Sequence, residues 1–254
     1  MSIILEAEHL TKVFTTKGKE VLKAVDDVSF QLESGEILGI VGESGCGKST
    51  LAKLITRLTD MTSGTLIFDG KDITNLTGRE RKDFYGKIQM VFQNPLTSFD
   101  PRRTLGDGIG ESLRNRGMKK EERNRRITEV LEQAGLSAEF ADRYPHEVSG
   151  GQCQRAAIAR ALAVEPAILI CDEATSALDV TIQKQIMDLL LELKEKQGLS
   201  FIFICHNLAL VQMFCDRVLV LYDGKVAESG TTDEIINHPK EEYTKKLIAS
   251  ACES

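Results

Sequence analysis

Apolar residues concentrate in short unbroken runs separated by stretches of helical period. Ile37-Leu38-Gly39-Ile40-Val41 is the clearest run. A strand of that kind, with no polar alternation, suits a sheet covered on both faces. The segment 25–31 reads as the strand before it, with Glu33-Ser34-Gly35-Glu36 as the connecting turn. After a glycine-rich stretch, Leu51, Leu54, Ile55 and Leu58 recur at helical spacing, predicting a helix over 48–58. Short strands are predicted near 65–68 and 87–92. Residues 104–164 carry almost no β-branched runs and read as helical. Apolar strands return at 167–171 and 200–205, flanking a helix over 180–197. Residues 216–230 resemble a hairpin turning at Asp223-Gly224, and helices follow.

This alternation predicts an α/β architecture over 254 residues, with a core at about 1–94 and 167–254 and a helical subdomain inserted at about 95–166. Composition leaves that picture in place, since 42% hydrophobic and 28% charged residues are ordinary for a globular chain. The most apolar window, 199–215, contains Ser200, His206, Asn207 and Gln212, so it reads as a buried strand and helix rather than a membrane span. No signal peptide is evident at the N-terminus.

Charge narrows the function. The net charge of −6 argues against a nucleic-acid binder. The basic cluster from Arg114 to Arg126 is interleaved with Glu111, Glu121, Glu122 and Glu129, which reads as a solvated helix face. None of the six cysteines stands at Cys-x-x-Cys spacing, so no zinc or iron–sulfur signature exists. Cysteines placed in apolar runs fit a reducing, intracellular compartment.

The chemistry begins where the Ile37–Val41 run ends. Gly42-Glu43-Ser44-Gly45-Cys46-Gly47-Lys48-Ser49, followed by Thr50, fits Gly-x-x-x-x-Gly-Lys-Ser between a strand and a helix. The glycines let backbone N–H groups converge on phosphate oxygens, and the helix adds its positive end. Lys48 is placed to reach the β- and γ-phosphates of ATP, and Ser49 to ligate Mg2+. The apolar strand ending at Asp172 supplies a second metal carboxylate, and Glu173 is placed to polarise a water. Ser149-Gly150-Gly151-Gln152 opens a predicted helix and is either a second anion site or a plain helix cap. Taken alone, Gln93 is a solvated loop residue, His206 a strand-end histidine and Phe14 a core aromatic.

In order along the chain, these stretches resemble the nucleotide-binding subunit of ABC transporters over essentially the whole length. The resemblance implies a P-loop NTPase fold, with a RecA-like core sheet, an antiparallel β part and the helical insert. It implies that Gly42–Thr50 is Walker A, Asp172 and Glu173 the Walker B aspartate and catalytic glutamate, and His206 the switch histidine. Gln93, in Val91-Phe92-Gln93-Asn94-Pro95, matches the Q-loop and joins Ser49 and Asp172 around Mg2+. Phe14 matches the aromatic that stacks on adenine. Asp179, in Ser176-Ala177-Leu178-Asp179, matches the D-loop. Ser149 to Gln152 match the signature motif, which contacts ATP bound to the opposite subunit. Val148, Cys153 and Asn207 depart from the usual leucine, arginine and aspartate.

The implied activity is ATP hydrolysis that energises a membrane importer from the cytoplasmic face. The implied partners are two membrane-spanning permease subunits, a second ATP-binding subunit (a related chain or a copy) and, indirectly, a substrate-binding protein; nucleic acid is not among them. Asn94–Arg102, Tyr144–Glu147, Leu178–Gln183 and the tail from His238 to Thr244 resemble the peptide, nickel and opine import branch. Ile88–Gln93, Ala161–Pro166 and the end of the chain at Ser254, without a cysteine-bearing extension, lean toward nickel or a metal chelate. A di- or oligopeptide importer is the alternative, and a soluble ABC-type ATPase acting on DNA or ribosomes a more distant one.

Overall fold

A computed structural model describes residues 2–15, 21–173 and 180–252. In chain order the elements are β1 (Ile3–Thr15), β2 (Val21–Glu33), β3 (Ile37–Val41), α1 (Lys48–Ile55), β4 (Ser63–Phe68), β5 (Lys71–Asp72), α2 (Gly78–Phe84), β6 (Ile88–Val91), α3 (Leu105–Ile109), α4 (Glu111–Asn115) and α5 (Lys120–Gln133). They continue with α6 (Gly150–Leu162), β7 (Ile168–Asp172), α7 (Val180–Gln197), β8 (Ser200–Ile204), α8 (Leu208–Phe214), β9 (Arg217–Tyr222), β10 (Lys225–Thr231), α9 (Thr232–Asn237) and α10 (Glu242–Cys252). The chain divides into two compact units, Met1–Lys82 with Gly198–Ser254, and Asp83–Gln197.

The first unit holds two kinds of strand. In one, β3 lies parallel to β8 on one side and to β9 on the other, and β10 closes the edge antiparallel to β9. Every residue of β3 and β8 is buried, as their unbroken apolar runs require. Gly39 lets α8 approach β3: a Cβ there would lie 2.9 Å from Cys215 Sγ and 3.3 Å from Val211 Cγ1. Buried Glu36 accepts from the Glu33 N–H at 2.7 Å and from Arg217 Nη1 at 3.1 Å, and Asp216 accepts from the Ile37 N–H at 2.8 Å. These acids fix the start of β3 against β9. In the other layer, β1 is antiparallel to β2 and β4, and β4 to β5. Alternation is visible in β2, where Val28, Phe30 and Leu32 point inward.

The second unit pairs β6 and β7 in parallel, Ile88 against Ile168 through Val91 against Cys171. Its helices bury Leu105, Ile109, Ile127, Val130, Leu131 and the alanine-rich face of α6. Arg126 comes from the basic cluster but does structural work. Its Nε and Nη2 donate to the carbonyls of Ala163 and Leu162 at 3.2 and 3.1 Å, satisfying the C-terminal end of α6. The helical segment expected at 95–166 lies wholly in this unit, which also takes in β6, β7 and α7.

Two expectations change. The helix predicted over 48–58 stops at Ile55, because Arg57 takes a left-handed φ of 55°. Strand β1 has no counterpart in the hydrophobic pattern. Its register shifts between Ala7 and Leu10, around His9 at φ 53°, which breaks the alternation that would mark it. Ile40 is fully buried in β3. Ile40→Ala is expected to cost about 2–5 kcal/mol in chemical denaturation of the chain.

Candidate functional site

The turn from β3 into α1 is built from residues that no other type replaces. Gly42, Gly45 and Gly47 have φ of 149°, 83° and 108°. A Cβ on Gly42 would fall 2.2 Å from the Leu221 carbonyl oxygen, and one on Gly47 2.2 Å from that of Ala24. At Gly45 nothing lies within 4 Å, so backbone conformation alone demands glycine there. The loop is tied down from outside: Gly224 N–H donates to the Cys46 carbonyl at 3.0 Å, and Glu43 N–H to Tyr243 Oη at 3.1 Å.

Lys48 begins α1 and is buried, with Nζ donating to the carbonyls of Gly42 and Glu43 at 2.7 Å each. The ammonium is thus held under the loop, on the residues that lead into it. Gly47 at the N-cap offers no side chain to the first N–H groups of α1, and the first turn carries no acid. The positive end of the helix dipole is therefore not offset by a side-chain cap or an acid of its own helix, an arrangement that suits an anion. Glu43, Ser44, Gly45 and Ser49 are exposed. Phe14 lies on β1, 39% exposed, with Lys12 Nζ 5.0 Å from its ring centroid. An accessible ring is what base stacking requires, and Lys12 beside it is a neighbour that the sequence does not announce.

His206 follows β8 and is exposed. Asn207, after it, caps α8: its Oδ1 accepts from the N–H groups of Ala209 and Leu210 at 3.0 and 3.3 Å. Asparagine and aspartate cap equally well, so this departure from the usual aspartate keeps the structural function.

In the second unit, Asp172 ends β7 and is buried, while Glu173 takes a left-handed φ of 49°. A glutamate held in that region is strained, as is common where a side chain must be aimed. Gln93 Nε2 donates to Glu173 Oε2 at 2.5 Å, bringing together two predicted site residues. Burial, with the adjacent charge of Asp172, pushes the Cys171 thiol up to about 12, so it stays a neutral packing group. Ser149 caps α6. Its hydroxyl accepts from the Gln152 N–H at 3.2 Å, and Gln152 Oε1 accepts from the Ser149 N–H at 2.9 Å. That is a complete capping box, so the cap reading of this motif is realised here. Gly151 has Ile182 Cγ2 2.8 Å from where its Cβ would stand. Burial raises the Cys153 thiol to about 11, so the cysteine in place of arginine is a buried hydrophobe. The D-loop expectation, Ser176 to Asp179, lies outside the described residues.

No cluster of three or more histidine, cysteine or acidic groups that could hold a metal ion occurs among the described residues. The sequence-predicted metal ligands are divided between the units, Ser49 in the first and Gln93 and Asp172 in the second. Hydroxyl, amide and carboxylate oxygens are the donor types that suit Mg2+, which keeps most of its shell for water and phosphate.

A buried strand, a glycine loop with a captive lysine, a helix, and an aspartate closing a second buried strand define a P-loop nucleoside triphosphatase. The ABC transporter family profile matches residues 25–176. The chain is 46% identical over 250 residues to the oligopeptide transport ATP-binding protein OppF of Bacillus subtilis, covering 97% of this chain and 82% of that protein. It is 41% identical over 256 residues to the di/tripeptide transport ATP-binding protein DppF of Pseudomonas aeruginosa, covering 98% and 79%. Among solved structures, the ATP-binding cassette MJ0796, a dimer in a post-hydrolysis state with ADP and Pi, matches with TM-score 0.82 and 33% identity over 90% of this chain and 99% of that one. The chain therefore belongs to the ABC transporter family, as an ATPase cassette. The lean toward nickel finds no support in these relatives, which are named for peptides. Among the described residues no helix is long and apolar enough to cross a membrane.

Lys48→Ala is expected to abolish ATP binding in a calorimetric titration; retained affinity would contradict the P-loop reading. Asn207→Ala should cost about 1 kcal/mol of stability and Asn207→Asp almost none, read from denaturation midpoints.

Proposed function

We propose that this chain hydrolyses ATP to energise a di- or oligopeptide importer, working with two permease subunits and a second ATP-binding subunit. The observation that carries the reading is the captive Lys48 under a glycine loop that leads into the N-terminus of α1. The names of the curated relatives support peptide as cargo. Nickel or a metal chelate remains the second reading, favoured by the stretches Ile88–Gln93 and Ala161–Pro166.

Each residue takes a role that its chemistry permits. The loop amides of Gly42 to Thr50 bind the phosphates, and Lys48 exchanges its carbonyl partners for the β- and γ-phosphate oxygens. Phe14 stacks on the adenine. Ser49, Gln93 and Asp172 hold Mg2+, which when bound neutralises phosphate charge. Glu173 accepts a proton from the attacking water. Gln93 sits against Glu173, so freeing that carboxylate is part of reaching the reactive state. His206 contacts the γ-phosphate. Ser149 to Gln152 address the nucleotide of the opposite subunit, and Asp179 lies beside the same interface. A dimer is supported by the paired arrangement described for the solved cassette. Loss of the γ-phosphate removes contacts that hold the subunits closed, which is the coupling to transport.

Glu173→Gln is expected to keep ATP binding, to trap ATP, to promote dimerisation and to lower hydrolysis by at least about a hundredfold, in line with the loss of a general base. An unchanged steady-state rate would sink the assignment. In a strain lacking this chain, uptake of labelled dipeptide should fall while radioactive nickel uptake holds; the reverse would restore nickel as cargo.

A further inference from the structure

The C-terminal helix contacts the phosphate loop at a point that its sequence motif does not explain. Tyr243 Oη accepts the Glu43 N–H at 3.1 Å, across 200 positions of sequence. The other side of the same residue is also taken, since the Glu43 carbonyl accepts from Lys48 Nζ at 2.7 Å and from Cys46 N–H at 3.3 Å. Glu43 is therefore gripped between the C-terminal helix and the lysine that serves the phosphates. We propose that Tyr243 is a positioning residue for ATP, holding the Glu43 amide so that the loop is preset before nucleotide arrives. The inference rests on the reading of Gly42–Thr50 as the phosphate site.

Tyr243 is itself fixed. Its ring packs on Tyr222, centroids 4.3 Å apart at 41°. The backbone leading into α10 is anchored by Glu228 on β10, which accepts the N–H groups of Lys240 and Glu241 at 2.9 and 3.1 Å. Burial opposes the charge of Glu228. The nearby Thr244 hydroxyl and these two N–H groups outweigh it and hold the carboxyl below its ordinary value. Thr244 is also buried, so the first turn of α10 is locked beside the loop. Partial burial raises the Tyr243 phenol above its ordinary value, with the Glu43 N–H bond acting against it and the Glu43 charge adding to it; the group stays neutral.

The physical reason for an effect on affinity is preorganisation. A loop whose first peptide is already held loses less freedom when it closes around phosphate. A tyrosine that merely docked the tail would act through its ring alone. Phenylalanine separates the two functions, because it keeps the packing on Tyr222 and removes only the acceptor.

The test is Tyr243→Phe in the full chain, titrated with Mg-ATP by calorimetry. Dissociation constants three- to tenfold weaker are expected, the range for one net hydrogen bond. Amide exchange at Glu43 should accelerate while β3 stays protected. In the complex assembled with its permease subunits, KM for ATP should rise by the same factor while kcat holds. An unchanged or tighter dissociation constant overturns the proposal. Tyr222→Phe serves as the reference, since it removes a neighbouring hydroxyl and leaves both the ring packing and the Glu43 bond. Equal weakening by both variants overturns the proposal, and selective weakening by Tyr243→Phe supports it even if the melting point drops. A wild-type chain that binds no ATP would instead defeat the phosphate-site reading.

Discussion

The loop from β3 into α1 has no room for side chains where Gly42 and Gly47 meet neighbouring backbone, and the first unit is arranged around that geometry. The Leu221 and Ala24 carbonyls stand 2.2 Å from where Cβ atoms of Gly42 and Gly47 would be, so the loop lies flush against β9 and β2. The buried strands β3, β8 and β9 hold its entry rigid. Lys48 holds its ammonium close to backbone, under the carbonyls of Gly42 and Glu43. The electrostatic cost of burying that charge is met by these charge-assisted bonds, which phosphate oxygens can replace.

The chemical groups of the second unit are held by economical local devices. Glu173 is held by a left-handed backbone and met by Gln93, so two of the predicted site residues touch. Ser149 and Gln152 satisfy the N-terminal donors of α6 with their own side chains. A capping box and an anion site use the same N–H groups, so a helix that ends a phosphate contact can remain intact by reverting to its cap.

The departures from the usual motif residues are conservative in physical terms. Asn207 supplies the same capping oxygen as an aspartate would. Cys153 fills buried space as a neutral thiol. The cargo is a different matter: the relatives that bear on it are named as oligopeptide and di/tripeptide transport ATP-binding proteins.

The sequence by itself determined the elements whose pattern is continuous: the apolar runs of β3, β7 and β8, the period of α7, the Asp223-Gly224 hairpin and the spacing of the phosphate loop. Each depends on neighbours in the chain, so local chemistry suffices to read it. Strand β1 escaped because a bulge at His9 breaks its alternation, and α1 ended early because Arg57 adopts a backbone that its side chain does not advertise. Only the tertiary structure decided which distant groups share a partner: Gln93 with Glu173, Gly224 with Cys46 and Tyr243 with Glu43. Those bonds join residues that no periodicity links, and only the packing of strands and helices brings them within reach. The glycines of the loop were legible as a motif, but the carbonyls that exclude every other residue from Gly42 and Gly47 come from β9 and β2.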